Sequence, residues 1–221
     1  QFASQPEVEA DLRLSMAERR ATTGDYAVAL AQLERVDSLE LISDQRTRAL
    51  DVRARVLEQS GDLEAAAEAW RTLIETAGTA AHQAQPARLA LADLRNRQGL
   101  ADEALRLIKA LLADDLEDHL RARALLVEGQ LHEKAGSVEL ARDAWQAVLA
   151  LEAPDPEVVE AARMSLATLL LAAGDEDAIA AALSDLPDEM AANILVHARL
   201  GEARRHLDNA RPAQALDIYE G

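Results

Sequence analysis

One short phrase centred on glycine recurs along this chain at nearly constant spacing. Successive glycines are 37, 38, 37 and 38 residues apart, at Gly24, Gly61, Gly99, Gly136 and Gly174. Glycine ends a helix readily because it adopts the left-handed conformation, and an Asp or Ser after it caps the next helix. Each phrase therefore predicts the tight turn of a helical hairpin. In the third copy Leu100 follows the glycine, so Asp102 is expected to act as the cap there.

Small and large apolar residues recur at fixed distances from these glycines. Five residues after the first four glycines stand Ala29, Ala66, Ala104 and Ala141, and nine residues after them stand Leu33, Trp70, Ile108 and Trp145. Seven residues before the five glycines stand Ala17, Ala54, Ala92, Gly129 and Ala167. Small residues let paired helices approach closely, and large ones fill the grooves between hairpins. Trp70, Trp145 and Tyr219, which takes the same place in a sixth copy, are therefore predicted core residues.

The phrase and its flanking residues resemble the tetratricopeptide repeat, or TPR. The likeness is carried by Thr23-Gly24-Asp25-Tyr26, by Gly61-Asp62-Leu63 with Ala66 and Trp70, and by Gly136 with Ala141 and Trp145. The period of 37–38 residues exceeds the family's usual 34, so each linker between hairpins is expected to be longer. The resemblance implies an all-α fold, a right-handed α-solenoid of about six TPR-like helical hairpins.

The periodic stretches also predict the helices and the domain organisation. We expect helices over residues 7–22, 25–37, 44–59, 62–76, 83–97, 100–113, 117–134, 137–150, 156–172, 175–184, 188–207 and 211–220. No linker is long enough to separate domains, which predicts a single solenoid segment over 1–221. Solenoids usually close with a polar capping helix, and none is evident here, so the segment is interpreted as part of a longer repeat array.

Composition and charge limit the kinds of partner. The formal net charge of −17 would repel a phosphate backbone, which argues against a nucleic-acid partner. Residues 1–110 carry 14 basic and 18 acidic residues, whereas 111–221 carry 9 and 22, so the second half is the acidic one. No apolar run is long enough to cross a membrane, so direct membrane insertion of this segment is not expected. Cysteine is absent, which is compatible with the cytoplasm or a bacterial periplasm.

No pattern typical of catalysis or of a cofactor site is present. The chain lacks GxSxG, GxxxxGK[ST], GxGxxG and HExxH, so we predict no enzyme activity, no cofactor and no metal site. Glu128 and His132 are four residues apart and could share a helix face, but no further ligand is placed to complete a metal site. A solvent-facing pair is the favoured interpretation. His82, His119, His197 and His206 are the other histidines.

The resemblance also implies where a partner would bind. First helices of TPR hairpins line a concave groove, and the family's groove positions fall on one set of residues here. The set is Asp11, Leu14 and Glu18; Arg48, Asp51, Arg55, Glu58 and Gln59; Leu89, Asp93, Asn96 and Arg97; Leu126, Gln130, Glu133 and Lys134; and Met164 and Thr168. The groove is predicted to be mixed in charge. The Lys and Asn clamp that some members use for chaperone tails is absent, because Leu14, Glu18, Asp51 and Arg55 hold those places.

Two functions follow from these observations. The first is a non-catalytic protein–protein interaction scaffold in a bacterial envelope or exopolysaccharide secretion assembly, since the Ala-, Leu- and Arg-rich repeats also resemble the periplasmic arrays of Pel-type export proteins. Its partner would be an envelope enzyme, with the acidic half guiding a cationic polysaccharide. The alternative is a sensor or regulatory TPR segment of a larger signalling or transcription protein, which would place the chain in the cytoplasm.

Overall fold

The fold is built from α-helices joined by short turns. The computed structural model describes residues 6–77, 81–173, 176–184 and 186–220, and within them the chain forms twelve helices and no strand. The helices are α1 (Pro6–Thr22), α2 (Tyr26–Asp37), α3 (Ser43–Ser60), α4 (Leu63–Ala77), α5 (Ala81–Arg97), α6 (Ala101–Leu112), α7 (Asp118–Lys134), α8 (Val138–Leu149), α9 (Pro156–Ala173), α10 (Glu176–Leu183), α11 (Asp188–Asp208) and α12 (Pro212–Glu220). Each bound lies within two residues of its predicted position, which confirms the all-α prediction.

The helices form two compact units. The first unit spans residues 1–111 and contains α1 to α5 with nearly all of α6, and the second spans 112–221 and contains α7 to α12. In the first unit α1 packs on α2, α3 on α4, and α2 and α4 each pack on the helix that follows. The second unit repeats this order, with α7 packed on α8, α8 on α9, and α11 on both α9 and α12. The expectation of a single segment over 1–221 stays a prediction.

The predicted glycine turns occur where the glycines lie in described residues. Gly24, Gly61, Gly99 and Gly136 have φ angles between 73° and 88°, the left-handed region that only glycine enters without strain. Each glycine amide and the next amide donate to carbonyls of the preceding helix, as in a helix C-terminal motif. Gly174 lies outside the described residues. In the sixth hairpin Ala210 takes the glycine's place, with φ at 56°.

Side-chain capping at these turns differs from the prediction. Asp62 caps α4, since its Oδ1 accepts a hydrogen bond from the Ala65 amide at 3.3 Å. Asp25 and Ser137 make no capping bond with their side chains. The Asp25 carboxylate instead accepts from Arg20 Nη1 at 3.0 Å, a partner on the preceding helix. The prediction for Asp102 was wrong, because α6 begins at Ala101 and the residue lies inside the first helical turn.

The small and large positions form the core, as predicted. All four alanines after the turns and all four before them are fully buried. Leu33, Ile108 and Trp145 are completely enclosed and Trp70 is 3% exposed. Leu33, Trp70 and Trp145 each pack in a cluster with alanines of neighbouring helices. The side chain of Tyr219 lies outside the described residues. The repeated spacing therefore encodes repeated packing, in which aliphatic and indole groups fill the space that small residues leave open.

One arginine side chain is buried in the first unit. Arg95 on α5 is 3% exposed, and its Nη1 donates to Glu64 of α4 at 3.1 Å and to Gln98 at 2.6 Å. Its Nε lies 3.4 Å from Glu103 of α6, which also accepts from Arg71 Nη2 at 3.0 Å. Burying a guanidinium is costly unless it is paired. The cluster therefore ties α4, α5 and α6 together through two carboxylates.

One face of α1 exposes a row of large apolar side chains. Val8, Leu12 and Met16 follow one another at helical spacing and are 59%, 61% and 40% exposed. Counted from the turn glycine, Leu12 corresponds to Ala49 of α3 and Ala162 of α9. Both alanines are buried in cores that include residues of the helix preceding them, α2 or α8. The exposed row therefore occupies the face that later hairpins bury.

Candidate functional site

Exposed charged side chains of the first helices form ion pairs in the first unit. We call the exposed side chains of the first helices the first-helix surface of each unit, formed by α1, α3 and α5 in the first unit and by α7, α9 and α11 in the second. Arg48 of α3 donates from Nε and Nη2 to the two carboxylate oxygens of Glu18 on α1, at 3.0 and 2.8 Å, and lies 3.9 Å from Asp11. The hydrogen bond to Glu18 raises the pKa of the Arg48 guanidinium, although partial burial opposes this shift. Arg48 therefore links two successive first helices.

The remaining predicted residues of this unit continue the same pattern. Arg97 of α5 pairs with Glu58 of α3 and lies 3.4 Å from Asp93 on its own helix. Arg55 pairs with Asp51 at 3.0 Å. Exposed pairs of this kind contribute only about 0–1 kcal/mol each, because water competes for both partners. A binding partner could therefore replace them at small cost.

Three of the predicted groove residues do not lie on this surface. Asn96 is 6% exposed, Leu89 is 3% exposed and Leu14 is fully buried. They were wrongly placed because the family's groove positions were carried over by sequence register alone, whereas these three side chains are buried. Shallow cavities on the first unit include two of about 400 and 280 Å³ that are both lined by Asp51 and Arg55.

A larger cavity opens on the second unit, between the C-terminal turns of α7, α9 and α11. Its volume is about 590 Å³. The apolar part of its lining is Val138, Leu169, Ala172, Ala173 and Gly201, and the charged part is Glu133, Lys134, Arg204, Arg205 and Asp208. Arg205 of α11 donates from Nη2 to Glu133 of α7 at 2.8 Å, so the two helices are linked across the cavity. Of the predicted residues, Glu133 and Lys134 lie here, while Gln130 is half-buried on the same helix.

The lining of this cavity has more basic than acidic residues, although the surrounding half of the chain is acidic. Residues 111–221 have nine basic residues against 22 acidic ones, yet three of the nine line this one cavity with only two carboxylates. Lys134 and Arg205 lie in the last turns of their helices, where a cation also complements the helix dipole. Within the described residues Arg204 makes no ion pair. The helix dipole therefore accounts for Lys134 and Arg205, whereas no such interaction accounts for Arg204.

Arg204, Arg205, Asp208 and Gly201 were missed by the sequence prediction. The sixth copy of the turn has no glycine, so the groove positions of α11 were not assigned. Ala210 occupies the turn with a positive φ. Counting back from Ala210 as from a turn glycine would have placed Arg204 at the position of Glu18 and Arg55. The sequence held that signal, since Tyr219 stands nine residues after Ala210 just as Trp70 stands nine residues after Gly61.

Within the described residues no group of three or more His, Asp or Glu side chains is placed to hold a metal ion. The prediction that His132 faces solvent was wrong, since it is 7% exposed on the packed side of α7. His119 and His197 are exposed and His206 is half-buried. The side chain of His82 lies outside the described residues.

In the described part of the chain no helix combines the length and the apolar character needed to span a membrane. That finding concerns these helices alone.

Comparison with solved structures identifies the fold. The chain aligns with a Podosopora anserina protein described as a kinesin light chain, whose TPR-like repeats are nearly identical to one another. The TM-score is 0.61 and the sequence identity is 18%, and the alignment covers 89% of this chain and 97% of that chain. A variant of that protein with one substitution gives a TM-score of 0.63 at 18% identity, with 90% and 98% covered. The fold is TPR-like. BtubC from P. vanneervenii has the same likeness, with a TM-score of 0.61, 19% identity, and 82% and 78% covered.

The sequence comparisons add no family or relative. No protein-family model matches the chain, and no curated protein matches it. The structural similarity establishes the fold. Because the sequence identities are below 20%, the partner has to be inferred from the surface of this chain.

Proposed function

We propose that this chain is a non-catalytic protein–protein interaction scaffold that binds a partner protein through its first-helix surface. The observation that carries the proposal is the collection of exposed charged residues from successive first helices on that surface. Core packing explains the alanines, leucines and indoles of the repeats, but it needs none of these charges. Scaffolds of the TPR-like fold bind partners with side chains that packing leaves free.

The chemistry of the surface favours a protein over a nucleic acid. Its charges are mixed, with Arg48, Arg55 and Arg97 interspersed among carboxylates, and the whole chain carries −17. A nucleic-acid site needs a concentrated basic surface, whereas mixed charge gives orientation and specificity to a protein interface.

The setting we favour is the bacterial periplasm, in an envelope assembly that secretes an exopolysaccharide. The absence of cysteine is compatible with that compartment, and the net charge of −13 in residues 111–221 suits a cationic, partly deacetylated polymer or a basic face of an envelope enzyme. Electrostatic guidance has a clear signature. Binding of such a polymer should weaken strongly as salt is raised, and binding that is unchanged at high salt would exclude guidance by charge.

We also favour a longer repeat array, on the evidence of α1. Its exposed Val8, Leu12 and Met16 occupy the face that later hairpins cover with a preceding helix. In a form of the protein with a further hairpin before α1, Leu12→Glu should lower the midpoint of unfolding, while in the present chain it should not. Equal effects in the two forms would contradict the extended array.

The proposed function is tested by affinity capture with matched charge reversals. The 221-residue chain is compared with Asp93→Arg and Glu133→Arg on first helices, and with Glu75→Arg and Asp143→Arg, which are exposed on second helices. A partner retained by the chain and by the second-helix variants, but lost with the first-helix variants, is the expected result. A partner whose capture is unchanged by all four substitutions would overturn the proposed surface. Capture of a cytosolic signalling protein would favour the sensor alternative.

A further inference from the structure

Gly201 is a glycine that the packing of this protein does not require. It lies in the middle of α11, where glycine is a poor helix former relative to alanine. A Cβ added there would meet only Thr168, at 3.8 Å, which is an ordinary contact. Gly129 is the opposite case, because a Cβ on it would lie 2.2 Å from the indole of Trp145. Gly129 is explained by the core, and Gly201 needs another explanation.

The surroundings of Gly201 supply one. The residue lines the 590 Å³ cavity between α7, α9 and α11, so its backbone is open to a molecule that occupies that space. Glycine is used where another molecule must approach a backbone closely. The volume lies within the range of cavities that receive small ligands or side chains.

The lining of the cavity specifies the chemistry of the occupant. Val138, Ala172 and Ala173 are open to solvent and offer an apolar surface to an aliphatic side chain. Arg204 lies at the edge of that surface and makes no ion pair among the described residues, whereas Arg205 is engaged by Glu133 at 2.8 Å. An unpaired guanidinium beside an apolar surface matches a carboxylate beside an aliphatic group, and Arg can hold a carboxylate with two parallel hydrogen bonds.

We infer that this cavity is a peptide-binding subsite, which takes a partner segment with an Asp or Glu next to an aliphatic residue. The aliphatic side chain rests on the alanines of α9 against the backbone at Gly201, and the acidic side chain pairs with Arg204. The inference rests on the proposed scaffold function and gives it a defined subsite and a ligand class. The local excess of positive charge in an otherwise acidic half would favour this segment over a basic one.

The test uses a displayed library of random twelve-residue peptides, selected on the immobilised 221-residue protein. Selected peptides are synthesised with a fluorescent label and titrated by anisotropy. We expect enrichment of Asp or Glu adjacent to Leu, Ile, Val or Met. Arg204→Glu and Gly201→Leu should each weaken binding at least tenfold. Arg199→Glu, an exposed change on the same helix, is the matched control and should leave the affinity unchanged.

Gly201→Ala separates a binding role from a structural one. It should raise the midpoint of thermal unfolding, because alanine favours the helix and finds no clash, yet it should weaken peptide binding severalfold. Selected peptides without the acidic and aliphatic pair, or peptides that bind these variants as well as the parent, would overturn the inference. Peptides lost only with Arg48→Glu or Arg55→Glu would overturn this subsite and leave the scaffold function standing. Failure to select any peptide above background would count against both.

Discussion

The indole of Trp145 occupies the space in which a side chain of Gly129 would stand. A Cβ built on Gly129 would lie 2.2 Å from Trp145 Nε1 and 2.5 Å from its Cδ1. This close approach brings the indole N–H within 3.4 Å of the Leu126 carbonyl oxygen, to which it donates. In the second hairpin the equivalent small residue is Ala54, and there Trp70 Nε1 is buried without a hydrogen-bond partner among the described residues. The buried indole next to Gly129, which lacks a methyl group, is hydrogen-bonded, whereas the indole next to Ala54 is not.

Gly129→Ala should destabilise the protein. Alanine favours the helix by about 1 kcal/mol, but overpacking a core typically costs about 1–3 kcal/mol, and a 2.2 Å approach lies at the upper end. We therefore expect a net loss of about 2 kcal/mol in the free energy of unfolding, measured by urea denaturation. Gly201→Ala is the control, since it adds the same methyl group without a clash and should give a gain. A loss of equal size at both positions would contradict the packing described for Gly129.

Replacing the two tryptophans by phenylalanine should have unequal effects. Both changes remove buried volume, but Trp145→Phe also removes a hydrogen bond, whereas Trp70→Phe removes an N–H that is buried without a partner. An unsatisfied buried donor costs about 1–3 kcal/mol. Trp145→Phe should therefore destabilise by at least about 1 kcal/mol more than Trp70→Phe in chemical denaturation. Equal losses would show that the indole N–H groups do not differ in this way.

The cluster around Arg95 predicts a dependence of stability on pH. Partial burial of Glu103 opposes ionisation, but the hydrogen bond from Arg71 and the charge of Arg95 outweigh it and hold the pKa of the Glu103 carboxyl below its ordinary value. A carboxyl with a lowered pKa stabilises the fold above its ordinary pKa of about 4.3, and this contribution is lost as the pH falls through the lower, folded-state value.

Glu103→Gln should remove that contribution. At neutral pH it should lower the free energy of unfolding by about 1 kcal/mol, since the amide oxygen of Gln still accepts a hydrogen bond but lacks the charge that attracts Arg71 and Arg95 across a partly solvated site. The difference between variant and parent should shrink as the pH falls from about 5 to about 3, since that range includes the ordinary carboxyl pKa of about 4.3, below which protonation favours the unfolded chain. Urea titrations at both pH values measure it. A difference that is constant over this range would contradict the role of the Glu103 charge.

Two leucines of α1 should respond differently to truncation. Leu14 is fully buried and Leu12 is 61% exposed, although they are two residues apart. Leu14→Ala should cost about 3 kcal/mol, because it leaves a cavity, whereas Leu12→Ala should stay within about 0.5 kcal/mol. Thermal unfolding of the two variants makes the comparison. A marked loss with Leu12→Ala would mean that its face is already covered in the isolated chain.

Much of the fold could be predicted from the sequence, because the repeat gives the same answer several times. Gly61, Ala66 and Trp70 each have counterparts one period away, so a chance match at one copy is corrected by the others. The spacing of small and large residues reflects packing between neighbouring helices, which is a local property. For that reason the bounds of α3 and α4, and the burial of Trp70 and Trp145, were predicted correctly.

The site was predicted less well, since it depends on which side chains each helix buries and on the irregular last hairpin. The family's groove positions predicted that Asn96 and Leu14 are exposed. Both side chains are buried instead, by the packing of α5 and α1. Arg204 and Gly201 were not found, because the groove positions were not carried onto α11, although Tyr219 gives the register of that hairpin. His132 was placed in solvent because a polar residue is usually exposed, but α7 buries it on the packed side.

The most direct test of the scaffold account is site-specific photo-crosslinking in cells. A benzophenone amino acid is placed at Arg55 or Gln130 on first helices, and at Glu68 or Gln146 on second helices, all positions that are at least partly exposed. The account predicts an adduct with one defined protein from the first-helix positions and none from the second-helix positions. The same adduct from both sets, or from Glu68 and Gln146 alone, would contradict the claim that the first-helix surface binds the partner.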